Sequence, residues 1–191
     1  MKKNLFILLF FICTAKLQAQ KNISCLIKTE LGNITIELYP AKAPITVTNF
    51  LKYVDAHLYD SNSFFRAVTL NNQPKDSVKI EVIQGGNLDS AKEYAPIPLE
   101  TTKQTGLLHK NGTISMARGK PATATSSFFI CINDQSSLDF EGKRKKDGQG
   151  FAAFGKVVEG MNVVKKIQQL HPEQGQYFKP PVTIISITRL K

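Results

Sequence analysis

From Asn33 to Leu38 the chain alternates strictly, with Ile34, Ile36 and Leu38 apolar and Thr35 and Glu37 polar. Successive side chains on a strand point to opposite faces, so a period of two predicts a strand with one buried face. The run before it, "ISCLIKT", is also rich in apolar and β-branched residues, and Leu31-Gly32-Asn33 separates the two, which predicts a β-hairpin. The period then changes. Val47, Phe50, Leu51 and Val54 recur at helical spacing behind Pro44, whose fixed φ suits a first helical turn, so this stretch predicts an amphipathic helix of about three turns. Strand-like runs return between Phe64 and Ile132, in "FFRAV", "SVKIEVIQGGN", "GTISMARG" and "SSFFICI". "VVEGMNVVKKIQQL" predicts a second helix with Val163, Val164, Ile167 and Leu170 on its apolar side, and "VTIISITRL" a closing strand. Many short strands interrupted by two isolated helices suit a closed antiparallel β-barrel plugged by helices better than an alternating βαβ sheet. An α+β sandwich is the alternative.

Composition narrows the picture. A chain of 191 residues, 42% of them hydrophobic, holds one well-packed domain. Met1, Lys2 and Lys3 followed by the apolar run Leu5 to Cys13 and by Leu17-Gln18-Ala19 read as a secretory signal peptide over residues 1–19, with the domain proper over 24–191. The apolar run is too short for a membrane span, which needs about 20 residues. Ile12 is bulky where a lipidated cysteine follows a small residue, so export to a bacterial periplasm is favoured over lipid anchoring through Cys13. Cys25 and Cys131 each lie in an apolar run and read as separate buried thiols. His57, His109 and His171 lack ligand-like spacing and read as surface or partly packed residues, so no metal is expected. The formal charge of +10 falls to +7 without Lys2, Lys3 and Lys16. Its densest patch, "GKRKKDGQG", reads as a solvated loop tip without the aromatic interleaving of nucleic-acid binders, leaving solubility or weak attraction to an anionic membrane surface as its consequence.

"FFRAV", "EVIQGGN", "GTISMARG", "SSFFICI", "LDF" and "FAAFGKVVEGMNVV", in this order around the two helices, resemble the cyclophilin family of peptidyl-prolyl cis-trans isomerases over about Ser24 to Leu190. The resemblance implies an all-β fold, a closed eight-stranded antiparallel barrel capped by two α-helices. It also implies an outer groove that takes a proline ring and accelerates rotation about Xaa-Pro bonds. Arg66 matches the catalytic arginine and Gln84 its glutamine partner. Phe129 matches the floor of the proline pocket, Leu138 and Phe151 its walls, and Val82 a further wall position. Met116 corresponds to a supporting position, Ala117 and Arg118 to backbone groups that align the substrate and Ser127 to a groove position; by strand alternation Phe64, two residues before Arg66, is expected to anchor the strand and share the groove face with it. No cofactor is implied. The implied partners are proline-containing segments of unfolded or exported proteins, handled by a monomer with at most peripheral membrane contact and no nucleic acid.

Several positions depart from the best-known family pattern. Glu81 and Val82 stand for an aromatic and a methionine, Ser127 for a glutamine, Ser137 for a tryptophan, Arg118 for an asparagine and Phe151 for a histidine. The missing tryptophan and the Glu81–Val82 change leave affinity for cyclosporin-type inhibitors open, and the altered pocket wall keeps open a non-catalytic module that holds proline peptides in the same groove. Between Arg66 and Gln84 the connection "TLNNQPKDSVK" is long for the family, either a mobile rim over the groove or a surface excursion.

Overall fold

The computed structural model describes residues 21–170 and 175–190. The signal-peptide reading, Cys13 and His171 fall outside the described residues. Eight strands, β1 (Ile23–Thr29), β2 (Gly32–Leu38), β3 (Asn62–Val68), β4 (Val82–Gly85), β5 (Thr113–Met116), β6 (Phe128–Cys131), β7 (Ala152–Glu159) and β8 (Tyr177–Arg189), close into an antiparallel barrel in the order β1-β2-β7-β5-β6-β4-β3-β8. Helices α1 (Pro44–Asp55) and α3 (Met161–Gln169) flank it, and a single turn, α2 (Thr102–Thr105), lies in a connection. The barrel expected from the alternation and the resemblance is present, and the sandwich is not.

Helix α1 starts at Pro44 without a side-chain cap of its own. The Glu100 carboxylate supplies the missing acceptors, taking the N–H groups of Ile45 at 3.2 Å and Thr46 at 2.8 Å. A negative group at this end also complements the helix dipole. The buried stripe then sets Phe50 against Phe154 and Phe128, with ring centroids 5.2 and 5.5 Å apart. Helix α3 buries Val163, Val164 and Ile167, but Leu170 is half-exposed, because the helix stops at Gln169 and carries the next side chain off the apolar stripe.

The strand alternation divides the apolar residues into two groups. Inside the barrel lie Cys25, Ile27, Ile34, Ile36, Leu38, Phe64, Ile83, Ile114, Met116, Phe128, Ile130 and Phe154, among others. Val68, Val82, Phe129 and Cys131 on β3, β4 and β6 point outward and, with Ile80, Leu138 and Phe151 from the connections, form a second cluster. This explains why "FFIC" in β6 reads as a continuous apolar run: both of its faces are covered. Cys25 and Cys131 fall in different clusters and are both free, in line with the separate-thiol reading. Burial pushes the Cys25 thiol up to about 11 and raises that of Cys131 as well, so neither is a ready thiolate.

Candidate active site

The outward face of β3, β4, β6 and β5 carries a row of paired residues. Arg66 pairs with Gln84, Gln84 with Phe129, and Phe129 with Ser115, so four positions far apart in sequence become neighbours across four adjacent strands. Arg66 reaches this face through a bulge. In a regular strand Phe64 and Arg66 would share a face, but the register shifts between them, with Phe64 opposite Gly85 and Arg66 opposite Gln84. Phe64 therefore points into the barrel, fully buried, its ring edge-on to Phe128 at 5.8 Å. Two readings are corrected here: Phe64 is core, not groove, and it does not share a face with Arg66. Met116 is likewise inside the barrel, one residue along the β5 alternation from outward-facing Ser115.

Beside this row lies a pocket of about 190 Å³ lined by Arg66, Ile80, Val82, Gln84, Ala117, Arg118, Phe129, Leu138, Arg144, Lys145 and Phe151. It is smaller than the roughly 300 Å³ at which drug-sized ligand sites begin, so it suits a single side chain. Arg66 and Gln84 also line a shallower depression, shared with Ser63, Phe65, Asn87 and Tyr177, and so stand as a ridge between the two hollows. Phe129 is held from behind by His109, stacked 5.9 Å away, and from the side by Phe151, edge-on at 5.4 Å. His109 is buried, contrary to the reading of a surface or partly packed residue. Asp139 accepts from its ring at 2.7 Å and from its backbone N–H at 2.9 Å, and Ser115 Oγ meets the other ring nitrogen at 3.0 Å. A histidine so satisfied can be buried without loss.

The Arg66 guanidinium is half-buried and clamped by two amide oxygens. Nη1 donates to Gln84 Oε1 at 2.9 Å, while Nε and Nη2 both donate to Gln176 Oε1, at 2.9 and 2.5 Å. Gln176 is fixed in turn, its Nε2 donating to the Asn72 carbonyl at 3.0 Å. Gln176 sits in no motif and 110 residues from Arg66, so no local pattern in the sequence marks it. Loss of solvent pulls the Arg66 pKa down, opposed by Tyr177 and reinforced by the positive Arg144, yet a guanidinium stays charged throughout the working range.

The long connection after β3 is built into the site. Gln73, buried, donates Nε2 to the carbonyls of Thr69 and Ile80, each at 2.7 Å, and Asn72 Oδ1 accepts the Thr69 N–H at 2.9 Å. The segment thus presents Ile80 to the pocket and the Asn72 carbonyl to Gln176, neither of which a bare surface excursion would do. On the opposite connection, Arg118 lies buried against Phe151, giving Nε to the Gly150 carbonyl at 2.7 Å and its terminal nitrogens to Asp147 at 2.8 Å each. The Arg118 fork holds the Asp147 carboxyl down at about 2. Gly150 has φ +64, and a Cβ there would come within 2.5 Å of the Asp139 backbone, so only glycine lets this turn close. Ser127 supplies a carbonyl to the Ala117 N–H at 2.8 Å but its side chain is not among the lining groups. Val82, Ala117, Arg118, Phe129, Leu138 and Phe151 line the pocket. Ile80, Arg144 and Lys145 join them unannounced. Among the described residues no group of three or more His, Cys, Asp or Glu side chains is arranged to hold a metal ion.

A family profile described as cyclophilin type peptidyl-prolyl cis-trans isomerase/CLD matches residues 24–189. This chain belongs to the cyclophilin-type peptidyl-prolyl cis-trans isomerases. Its cyclophilin relatives include the peptidyl-prolyl cis-trans isomerase of Acinetobacter baylyi, 38% identical over 84% of this chain and 81% of that one. Peptidyl-prolyl cis-trans isomerase A of Dickeya dadantii is 36% identical over 87% of this chain and 82% of that one. In three dimensions the cyclophilin fold superposes on the Cryptosporidium parvum cyclophilin type isomerase, a crystal structure in the presence of the dipeptide Ala-Pro. The TM-score is 0.71 at 20% identity, covering 88% of this chain and 99% of that one.

Proposed function

We propose that this cyclophilin acts on Xaa-Pro bonds of exported chains, with the proline ring in the Phe129 pocket and Arg66 as the catalytic group. Resonance gives the amide C–N bond partial double-bond character, and rotation about it faces a barrier of ~20 kcal/mol. Halfway round, the nitrogen loses conjugation, becomes pyramidal and gains a lone pair that can accept a hydrogen bond. A donor aimed there is favoured in the transition state over either ground state, which is what lowers a barrier.

The clamp on Arg66 suits it to that donor role. A guanidinium carries five N–H bonds. Three of those on Arg66 are spent on Gln84 and Gln176, which leaves one on each terminal nitrogen to face a substrate. Gln84 and Gln176 are positioning residues: they fix the guanidinium plane without touching the reacting atoms. Val82, Phe129, Leu138 and Phe151 hold the ring in an apolar slot while the chain on the other side of the bond turns across the Arg66–Gln84 ridge. No covalent intermediate is required.

The observation that carries this reading is a half-buried, doubly clamped cation at the lip of a pocket sized for one ring, with Val82, Phe129, Leu138 and Phe151 among its lining. The export assignment is supported by the leader-like composition of residues 1–19. The catalytic reading is tested by following refolding of a secreted protein whose slow phase is limited by proline isomerisation. The mature chain shortens that phase and Arg66→Ala does not. A slow phase unchanged by the mature chain overturns the folding role.

A further inference from the structure

The proline pocket is ringed by cations. In the loop that covers it, Lys143 and Lys146 face solvent whereas Arg144 and Lys145 are half-buried and line the pocket with Arg66 and Arg118. Four cations thus meet around about 190 Å³. Two carboxylates answer them: Asp147 is taken by the Arg118 fork, and Asp76, 3.2 Å from Arg144, by Arg144. Among the described residues Arg66 and Lys145 have none. Arg66 is held by amide oxygens, and Lys145 Nζ donates to the Gly119 carbonyl at 3.1 Å, with the Phe151 ring centroid 5.8 Å away. Burial and the like charge of Arg118 lower the Lys145 pKa, opposed by Asp147 and reinforced by Arg144 and Arg66.

The cations are also braced. Arg144 donates Nη1 to the Val78 carbonyl at 2.6 Å, so the long connection after β3 fixes its direction. A substrate that brings a carboxylate to this wall relieves the repulsion, and one that brings an ammonium adds to it. We propose that the groove selects prolines flanked by an acidic side chain, the Asp or Glu carboxylate meeting Lys145 and Arg144 while the ring fills the Phe129 pocket. This rests on the assignment of the proline ring to that pocket. It also gives the basic loop a role at the groove, beyond solubility.

Exchange spectroscopy on short, terminally blocked peptides carrying Glu, Gln or Lys immediately before or after one proline tests it. Blocked termini ensure that a preference for charge reports the side chain and not a chain-terminal carboxylate. For one of the two placements kcat/KM ranks Glu above Gln above Lys. The Glu-to-Gln ratio is about threefold to tenfold at low salt and shrinks as salt is added. Lys145→Gln brings that ratio toward one, and Lys145→Glu turns the preference toward Lys. Equal acceleration of all three peptides in both placements, or a ratio untouched by both variants, overturns the proposal while leaving the isomerase assignment standing. No acceleration of any peptide overturns that assignment as well.

Discussion

Replacing Gln176 by Leu probes the Arg66 clamp, since it removes two of the three hydrogen bonds on the guanidinium, together with the Gln176 bond to the Asn72 carbonyl, and changes no residue that lines the pocket. Hydrogen bonds to charged groups contribute about 1.5–3 kcal/mol each. Here both end on one oxygen at a half-exposed site, where water takes over part of the loss, so a net figure of about 1.5–2 kcal/mol is reasonable. Expressed on the transition state, that is a ten- to thirtyfold fall in kcat. KM for an Xaa-Pro peptide stays near the wild-type value, because no group that lines the proline slot has changed. Gln176→Glu keeps an acceptor oxygen opposite Nε and Nη2 and recovers part of the loss, the remainder being the donor bond to the Asn72 carbonyl that a carboxylate cannot make. The assay is two-dimensional exchange NMR of a short peptide over a range of concentrations, with thermal melting as a check on folding. Wild-type kcat in Gln176→Leu, or equal losses in the Leu and Glu variants, refutes the assignment of a positioning role.

Three further substitutions separate fold from groove and test the acid response. Phe64→Ala opens a cavity inside the barrel and costs about 3–5 kcal/mol, visible as a melting temperature lower by about 10 °C, with peptide KM unchanged. Phe129→Ala instead weakens peptide binding, and equal KM effects of the two would show that the inward and outward faces are misassigned. Asp147→Asn leaves the buried Arg118 guanidinium without its anion and destabilises by about 1–3 kcal/mol in urea unfolding at neutral pH. Because the Asp147 carboxyl sits at about 2 in the fold against 3.8 ordinarily, its contribution is present above pH 3.8 and is lost as pH falls toward 2. Stability of the wild type therefore drops more steeply across that window than that of Asp147→Asn, and parallel curves would contradict the pairing.

The β1–β2 hairpin and α1 could be read locally because each buries one face against a single core, so polarity along the chain reports orientation directly. The strands that carry the site could not be read this way. On β4 and β6 both faces are covered, and residues such as Phe128 and Phe129 look alike in sequence although one fills the barrel and the other floors the groove. The bulge at Phe65 is set by pairing with β4 and β8, not by any local signal, and it alone places Arg66 opposite in sense to Phe64. Resemblance to known cyclophilins located Arg66, Gln84 and Phe129, but it offered no handle on Gln176, Arg144 or Lys145. Those sit in connections whose conformation depends on contacts this chain makes with itself, between Asn72 and Gln176 and between Val78 and Arg144. His109 looked like a surface residue because its two satisfying partners, Asp139 and Ser115, become neighbours only once the barrel closes.

The claim that matters most is that one fixed guanidinium lowers the barrier to rotation. It is tested most directly by the cis-to-trans exchange rate of a short Xaa-Pro peptide with the wild-type chain and with Arg66→Ala at equal concentration. The account predicts exchange far above the rate in buffer for the wild type and a loss of about a hundredfold or more in kcat/KM for the variant, with the barrel still folded. An Arg66→Ala chain that catalyses as fast as the wild type would contradict it.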